Sequence, residues 1–367
     1  MALPDRRVRG GPPSHLYLLR DSLVRRGVDV RGFVYGGRTH DESSAAKLLG
    51  RLIDLIRFPF LLAKHRPDVV HLNTAFDRRG VSRDIFFVTL GRMLGQKLVL
   101  KFHGSDLDFL ESARGMRRWM INRVIRGSNL VCVLSGEEQR AFEKRFPGSR
   151  FAMVKNALDF DRYHTVTDFR AAHGIPKDKP LLLFIARFIG TKGLKETIEA
   201  LPAIRESHDV HAALVGDGPV RGECARIAER LGVADCVTFT GYVPEDRTVD
   251  AYLASDMLVF PSYHQEGMPM VIFHALACGL PIVTTRIRAA ADWLVDGENG
   301  VFVPPRDSAA VVSAVTRLLN DPALRERMSE NNRNLACKFD RDAVAAEFVG
   351  WYESIAKQAR SAQSVRT

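Results

Sequence analysis

No apolar run in this chain approaches the roughly 20 residues that cross a bilayer, and its opening, MALPDRRVRGG, lacks the apolar stretch of a secretion signal. A cytoplasmic protein is expected, either free or held against the inner face of the plasma membrane. Cysteine is scarce and scattered: Cys132, Cys224, Cys236, Cys278 and Cys337 stand singly, at no metal-ligand or redox spacing. Free buried thiols are expected, and neither a disulfide framework nor a cysteine metal site. Nucleic-acid module signatures are also missing, and the basic residues spread over helical patterns instead of clustering around aromatic-bearing strands. No nucleic-acid partner is expected.

The 367 residues, 46% of them hydrophobic, suffice for two domains with a core each. The net charge of +10 is unevenly placed. Residues 1–170 hold 31 Lys+Arg against 18 Asp+Glu, and the remainder holds 22 against 25. A basic first half points to an anionic surface, with membrane favoured over nucleic acid. Two stretches can meet lipid. Lys47 to His65 sets Lys47, Arg51 and Asp54 against Leu48, Leu52, Leu55 and Ile56, and arginine-rich Arg114 to Arg126 carries Trp119, Met120 and Ile121. Each also reads as an ordinary domain helix with a solvated basic face.

The second half alternates β-rich runs with helical patterns: LLLFIA at 181–186, AALVG at 212–216, then VTFTG, MLVF and PIVTT. Such alternation predicts an α/β fold, a parallel sheet with helices on both faces and ligands at the carboxyl ends of the strands. The first half repeats this more roughly, with strands near VDVRGFVY, PDVVHLN, QKLVLKFHG, NLVCVLS and FAMVKN. Its first strand looks truncated, since only Met1 to Pro4 precede the Gly10-Gly11 loop. Either the true start lies upstream of Met1 or this central strand is very short. The polar tract 163–180 reads as the interdomain segment. This gives a first domain over 1–163, a second over 164–341, and an amphipathic last helix over 342–359.

The densest stretch is PSYHQEGMPMVIFHALACGLP, 261–281. It follows an apolar strand pattern and leads into an Ala/Leu-rich helix whose free N–H groups and positive dipole end suit an anion. Glu266 stands just before the expected helix start. A carboxylate beside a phosphate-sized site suits a ligand with both hydroxyls and phosphate, which describes a nucleotide-sugar.

Taken in order, Gly10-Gly11, HGSD at 103–106, Ser135, KNALD at 155–159, ARFIGTKG at 186–193, VGDGP at 215–219, FTGYVP at 239–244, the 261–281 segment and DGENGVFVPPRD at 296–307 resemble retaining glycosyltransferases of family 4. The resemblance covers nearly the whole chain. It implies a GT-B fold: two Rossmann-like domains facing a cleft, acceptor side first and donor side second, with the last helix crossing back. It also implies hexose transfer from a nucleotide diphosphate, UDP- or GDP-linked, to a lipid-linked or saccharide acceptor in bacterial polysaccharide or glycolipid assembly. Neither a metal nor a cofactor is expected. Three positions depart from the family pattern: Ala157 after Asn156, Ala186 before Arg187, and His274 where a ribose-gripping glutamate usually stands. An imidazole can still bond a hydroxyl. The same fold also serves sugar-nucleotide epimerases, and His274 allows a catalytically idle nucleotide-sugar-binding partner.

On the donor side, the resemblance implies that Arg187 and Lys192 stabilise the leaving diphosphate in place of a metal. Glu266 would meet the sugar hydroxyls, with Gly267, Met268 and Met270 offering N–H groups to the phosphate. Gly216 and Gly218 would admit the nucleotide, Tyr242 and Val243 would flank the base, and His274 would meet the ribose. From the first domain, His103 would contact the donor sugar, Gly11 would bring an N–H to the phosphate, and Asp106 and Asn156 are acceptor-side candidates. Plainer readings stay open at this point. Arg187 and Lys192 also fit a solvated loop pair, Glu266 a helix cap, His103 a structural residue, and Gly216 and Gly218 a strand-to-helix turn.

Overall fold

The computed structural model describes residues 1–4, 11–34 and 44–364, with side chains described at 1–4, 14–34 and 49–357. The chain divides into two compact units. The first comprises Met1–Ala157, Gln265–Met268 and Arg341–Thr367, the second Leu158–His264 and Pro269–Asp340.

In the first unit, β1 (Ala2–Leu3) and β2 (Phe33–Val34) pair in parallel. Beside them β3 (Val70–Phe76), β4 (Leu98–Ser105), β5 (Leu130–Val133) and β6 (Phe151–Met153) form a parallel sheet in that order. The strand expected over 28–35 shortens to Phe33–Val34, and Tyr35 lies outside the described residues. Its partner β1 offers only Ala2 and Leu3, so the ladder ends after two rungs. One face of the sheet is packed by aromatics: Phe76 meets Phe142 edge-on at 4.8 Å, with Phe102 5.2 Å from Phe76.

The last helix, Arg341–Ser364, belongs to this unit although it ends the chain. The Tyr352 hydroxyl meets His71 Nδ1 at 2.6 Å, Lys97 donates to the Ala356 carbonyl, and Arg150 bonds Ser354.

Helix Ser44–His65 is turned differently from its expected polar face. Asp54, Phe58 and Leu62, spaced at i, i+4 and i+8, are buried. Phe58 anchors them, 5.6 Å from Phe33 and 5.1 Å from Phe87. Leu49, Leu52, Ile53, Ile56 and Phe60 therefore face outward, Phe60 at 71% exposure. Lys47 and Leu48 lie outside the described side chains.

The second unit is a six-stranded parallel sheet of β7 (Leu181–Ile185), β8 (His211–Val215), β9 (Val237–Gly241), β10 (Met257–Phe260), β11 (Ile282–Thr285) and β12 (Gly300–Val303), ordered β12-β11-β10-β7-β8-β9. The runs LLLFI and MLVF are buried at every residue, as central strands covered on both faces must be. Edge strand β9 is half-buried throughout. Strand order reverses between β7 and β10. The crevice at the carboxyl ends of two such strands is where open α/β sheets bind ligands.

Tract 163–180 is part of the second unit rather than a free linker. Buried Asp250 accepts from the N–H groups of Val166 and Thr167 and from the Thr167 hydroxyl. Arg170 donates to the carbonyls of Ala254, Pro176 and Lys179.

Candidate functional site

The loop leaving β7 places the two expected cations differently. Arg187 is exposed, whereas Lys192 is 5% exposed with its ammonium 5.6 Å from the Phe260 ring centroid. Gly193, at φ 84°, ends this loop and caps helix Leu194–Arg205. A Cβ there would lie 2.5 Å from the Pro261 carbonyl oxygen. The absent side chain lets the β7 loop rest on the β10 loop, and further bonds lock the pair. The Tyr263 hydroxyl donates to the Gly190 carbonyl at 2.7 Å and its N–H to that of Thr191, while Thr191 Oγ1 lies 2.9 Å from His264 Nδ1. One exposed cation and one buried cation thus share a locked loop at the switch point. A charge withdrawn from water acts on an anion through a lower local dielectric.

Gly216 and Gly218 take φ of 133° and 158°. The room they leave is filled by the chain itself: added Cβ atoms would fall 1.9 Å from the Ala186 carbonyl oxygen and 2.3 Å from that of Phe188. Here the two glycines let the loops after β7 and β8 approach each other closely. Tyr242 is 64% exposed and Val243 half-buried just past β9.

The helix after β10 begins later than its sequence suggests. Pro269 is the cap and the helix runs Met270–Ala277. The residue before a proline is driven out of the α region, so Met268 cannot be helical. Gly267 and Met268 therefore lie outside the helix and within the first unit, where Asn156 N–H meets Met268 Sδ at 3.4 Å. A Cβ on buried Gly267 would sit 3.1 Å from Leu134. Met270 is the first helical N–H. Glu266 is half-buried.

His274 is not open on both nitrogens. Its Nδ1 shares a 2.7 Å hydrogen bond with the Tyr163 hydroxyl, and its ring lies 5.8 Å from that of Tyr252. Burial, aided by Arg162, lowers its pKa to about 4. The other ring nitrogen, Nε2, takes no part in that bond.

In the first unit, His103 and Lys101 share a face of β4, and the register sets Asn73 of β3 beside Lys101. His103 Nε2 lies 3.3 Å from Asn73 Oδ1, whose amide NH2 donates to the Ala2 carbonyl at 2.8 Å. Among the described residues His103 Nδ1 has no hydrogen-bond partner and no contact with water, an arrangement that costs about 1–3 kcal/mol. Burial, then Lys101, His15 and His71, hold the imidazole well below its usual pKa. Lys101 is itself lowered to about 8 by burial and donates to Asn156 Oδ1 at 2.8 Å. Asp106 caps helix Leu107–Ser112 by accepting from the Phe109 N–H, so the partner of His103 is Asn73. Gly11 opens helix Gly11–Arg25, and Gly10 lies outside the described residues. No group of three or more His, Cys, Asp or Glu among the described residues is placed to hold a metal ion.

Two family descriptions match nearly the whole chain: Glycosyltransferase Family 4 over residues 9–162 and Glycosyl transferases group 1 over residues 165–335. The chain belongs to glycosyltransferase family 4. This family 4 transferase is 27% identical over 282 residues to the alpha-D-kanosaminyltransferase of Streptomyces kanamyceticus, spanning 72% of each chain. It is 29% identical over 260 residues to the GDP-mannose-dependent alpha-(1-6)-phosphatidylinositol monomannoside mannosyltransferase of Mycolicibacterium smegmatis, spanning 67% of each. Other curated relatives are matched over 52% and 49% of their length. Sucrose-phosphate synthase from Thermosynechococcus elongatus superposes with a TM-score of 0.76 at 21% identity over 94% of each chain. HepE from Anabaena, in complex with UDP and glucose, gives 0.73 at 20% identity over 96% of this chain and 98% of its own. These likenesses establish the GT-B fold for the transferase.

Two site features escape motif reading. Tyr163, the partner of His274, lies 111 positions away, and Asn73, the partner of His103, sits in an ordinary strand.

For the family 4 transferase, the depressed pKa of His274 sets a pH dependence. As pH falls through 6.5 the unfolded chain takes up this proton first, so stability present above 6.5 is lost towards pH 4. Between pH 7 and about pH 4.5 this residue should remove about 2–3 kcal/mol. Urea titrations at both values should show that loss in the wild type and a smaller one in His274→Gln.

Proposed function

We propose that the chain is a metal-independent, retaining transferase that moves a hexose from a UDP- or GDP-sugar to a lipid-linked or saccharide acceptor in bacterial polysaccharide or glycolipid assembly. The observation that carries this reading is the locked β7 loop, with exposed Arg187 and buried Lys192 at the switch point of the second sheet. As the C1–oxygen bond to the diphosphate breaks, negative charge grows on the leaving phosphate, and the two cations of the locked loop would stabilise that charge more than the ground state. The leaving phosphate draws the acceptor proton as the new glycosidic bond forms on the same face. Glu266 would orient the sugar through its hydroxyls, and Met270 N–H would meet the phosphate. Support comes from the relatives: one is named for GDP-mannose and a phosphatidylinositol mannoside, and one structural neighbour holds UDP and glucose.

A thermal-shift screen of UDP-, GDP- and ADP-sugars tests donor binding, since a ligand held by the native state raises the melting temperature. A shift with one base that disappears in Arg187→Ala/Lys192→Met is expected. A shift that survives both substitutions would place the donor elsewhere.

The first unit would bring the enzyme to an anionic membrane. Leu49, Leu52, Ile53, Ile56 and Phe60 form an outward apolar stripe, with Arg51, Arg57 and Lys64 exposed on the same helix. On helix Gly115–Gly127, Met116 and Trp119 are exposed beside Arg114, Arg117 and Arg118. Such surfaces bury apolar side chains at the headgroup boundary while the cations meet anionic lipid. The protein should float with liposomes containing anionic lipid, more weakly with neutral ones, and not at all as Ile56→Glu/Phe60→Glu. Equal recovery of wild type and variant would remove the membrane from this reading.

A further inference from the structure

A cavity of about 670 Å³ opens at the amino end of β1, within the first unit. Residues 28–33 and 68–71 line it, helix Ser44–His65 adds Phe58 and Leu62, and the last helix adds Val349 and Tyr352. Met1 lines it too. The bonds around Met1 give the cavity a direction. The Met1 ammonium donates to the Arg31 carbonyl at 2.7 Å, and the Met1 carbonyl accepts from the Phe33 N–H. Met1 therefore stands opposite Gly32, one step before the Ala2–Phe33 pair. A parallel ladder continued in the same register would next use the Arg31 N–H and the Asp29 carbonyl. Among the described residues neither has a backbone partner.

Residues 28–31 already alternate as a strand does, with Val28 and Val30 half-buried and Asp29 and Arg31 exposed. They lack a neighbour, because the ladder stops where β1 stops. The Met1 ammonium is out of place at this point. Burial lowers its pKa to about 5, a desolvation cost that a peptide N–H bonded to the same carbonyl would not carry.

We infer that this cavity is a strand slot, completed by an extended apolar segment of about four residues joined to the amino side of Met1 and running parallel to residues 28–31. The length follows from the register, since stepping back from Gly32, opposite Met1, reaches Val28. The apolar character follows from Phe58, Leu62, Val349 and Tyr352, which two different helices bring to the cavity; a parallel strand covered in this way is apolar along its length. A lipid chain would fill the volume and leave the Arg31 N–H and the Asp29 carbonyl unmet. A separate peptide in the same register would end against the Met1 ammonium. The slot stands apart from the catalytic reading and survives its failure.

Full chains carrying Ile-Leu-Val-Val or Gly-Ser-Gly-Ser between an initiator methionine and Met1 test the slot. The apolar extension should raise the melting temperature by about 5 °C or more over the Gly-Ser chain. It should also slow hydrogen exchange at the Arg31 amide at least about tenfold, while the Gly-Ser chain exchanges there like the unextended protein. Equal melting and equal Arg31 exchange in the two extended chains, or aggregation of the apolar one alone, would overturn the inference. Two additions to the unextended chain separate the sources. Protection of Arg31 by free acetyl-Ile-Leu-Val-Val-amide, with none from the joined segment, would overturn the joined occupant. A fatty acid that raises the melting temperature while the joined segment does not would make the cavity a lipid site instead.

Discussion

On the proposed role of Lys192, its replacement by methionine should lower kcat/KM for sugar transfer by roughly 10²–10³-fold, the range for removing one preorganised group that faces a developing anion. Lys192 is buried within a loop locked by Gly193 and Tyr263, so little reorganisation would be needed to meet a leaving phosphate there. Stability should respond far less. An apolar side chain of similar length replaces a buried ion at little net cost, because the desolvation penalty of the charge disappears with it. Arg187→Ala should lose less than Lys192→Met, since an exposed guanidinium acts through water and salt. Steady-state kinetics with melting curves on the same preparations check both statements. Equal losses of activity and of folded protein would mean that Lys192 is a structural residue.

The second large effect belongs to Gly216. Alanine there places Cβ 1.9 Å from the Ala186 carbonyl oxygen, at a φ of 133° that side chains rarely adopt. Neither atom can yield without moving the ends of β7 and β8, so the variant should lose about 3 kcal/mol or more. Gly297 supplies the control. Its φ is 80° but nothing lies within 4 Å of an added Cβ, so Gly297→Ala should cost only about 1 kcal/mol of backbone strain. Urea denaturation of the pair separates collision from conformational strain. Donor binding should fail in Gly216→Ala and survive in Gly297→Ala, because only the former displaces residues 186–188.

The parallel sheet of the second unit was legible because its central strands, LLLFI and MLVF, are uninterrupted apolar runs between helical patterns, as strands buried on both faces are. The shortness of β1 was legible too, since only Met1 to Pro4 read as strand there, and Ala2 and Leu3 are the two that pair with β2. Side-chain partnerships were not. Periodicity marks Asn73 and Tyr163 as nothing more than a strand residue and a loop residue, yet each bonds a histidine from a distant element. The orientation of helix Ser44–His65 was hidden for a related reason. Its apolar residues fill more than one face, and Phe58 chooses which face turns inward. Glycine function also depends on what stands opposite: at Gly216 and Gly218 it is the β7 loop.

Release of free nucleoside diphosphate from UDP- and GDP-hexoses, with and without bacterial membrane extract, tests most directly whether the locked cation loop serves transfer. Release from one donor that depends on the extract and disappears in Arg187→Ala/Lys192→Met is the predicted result. Donor binding without release under either condition would contradict it and leave a nucleotide-sugar-binding partner in place of an enzyme.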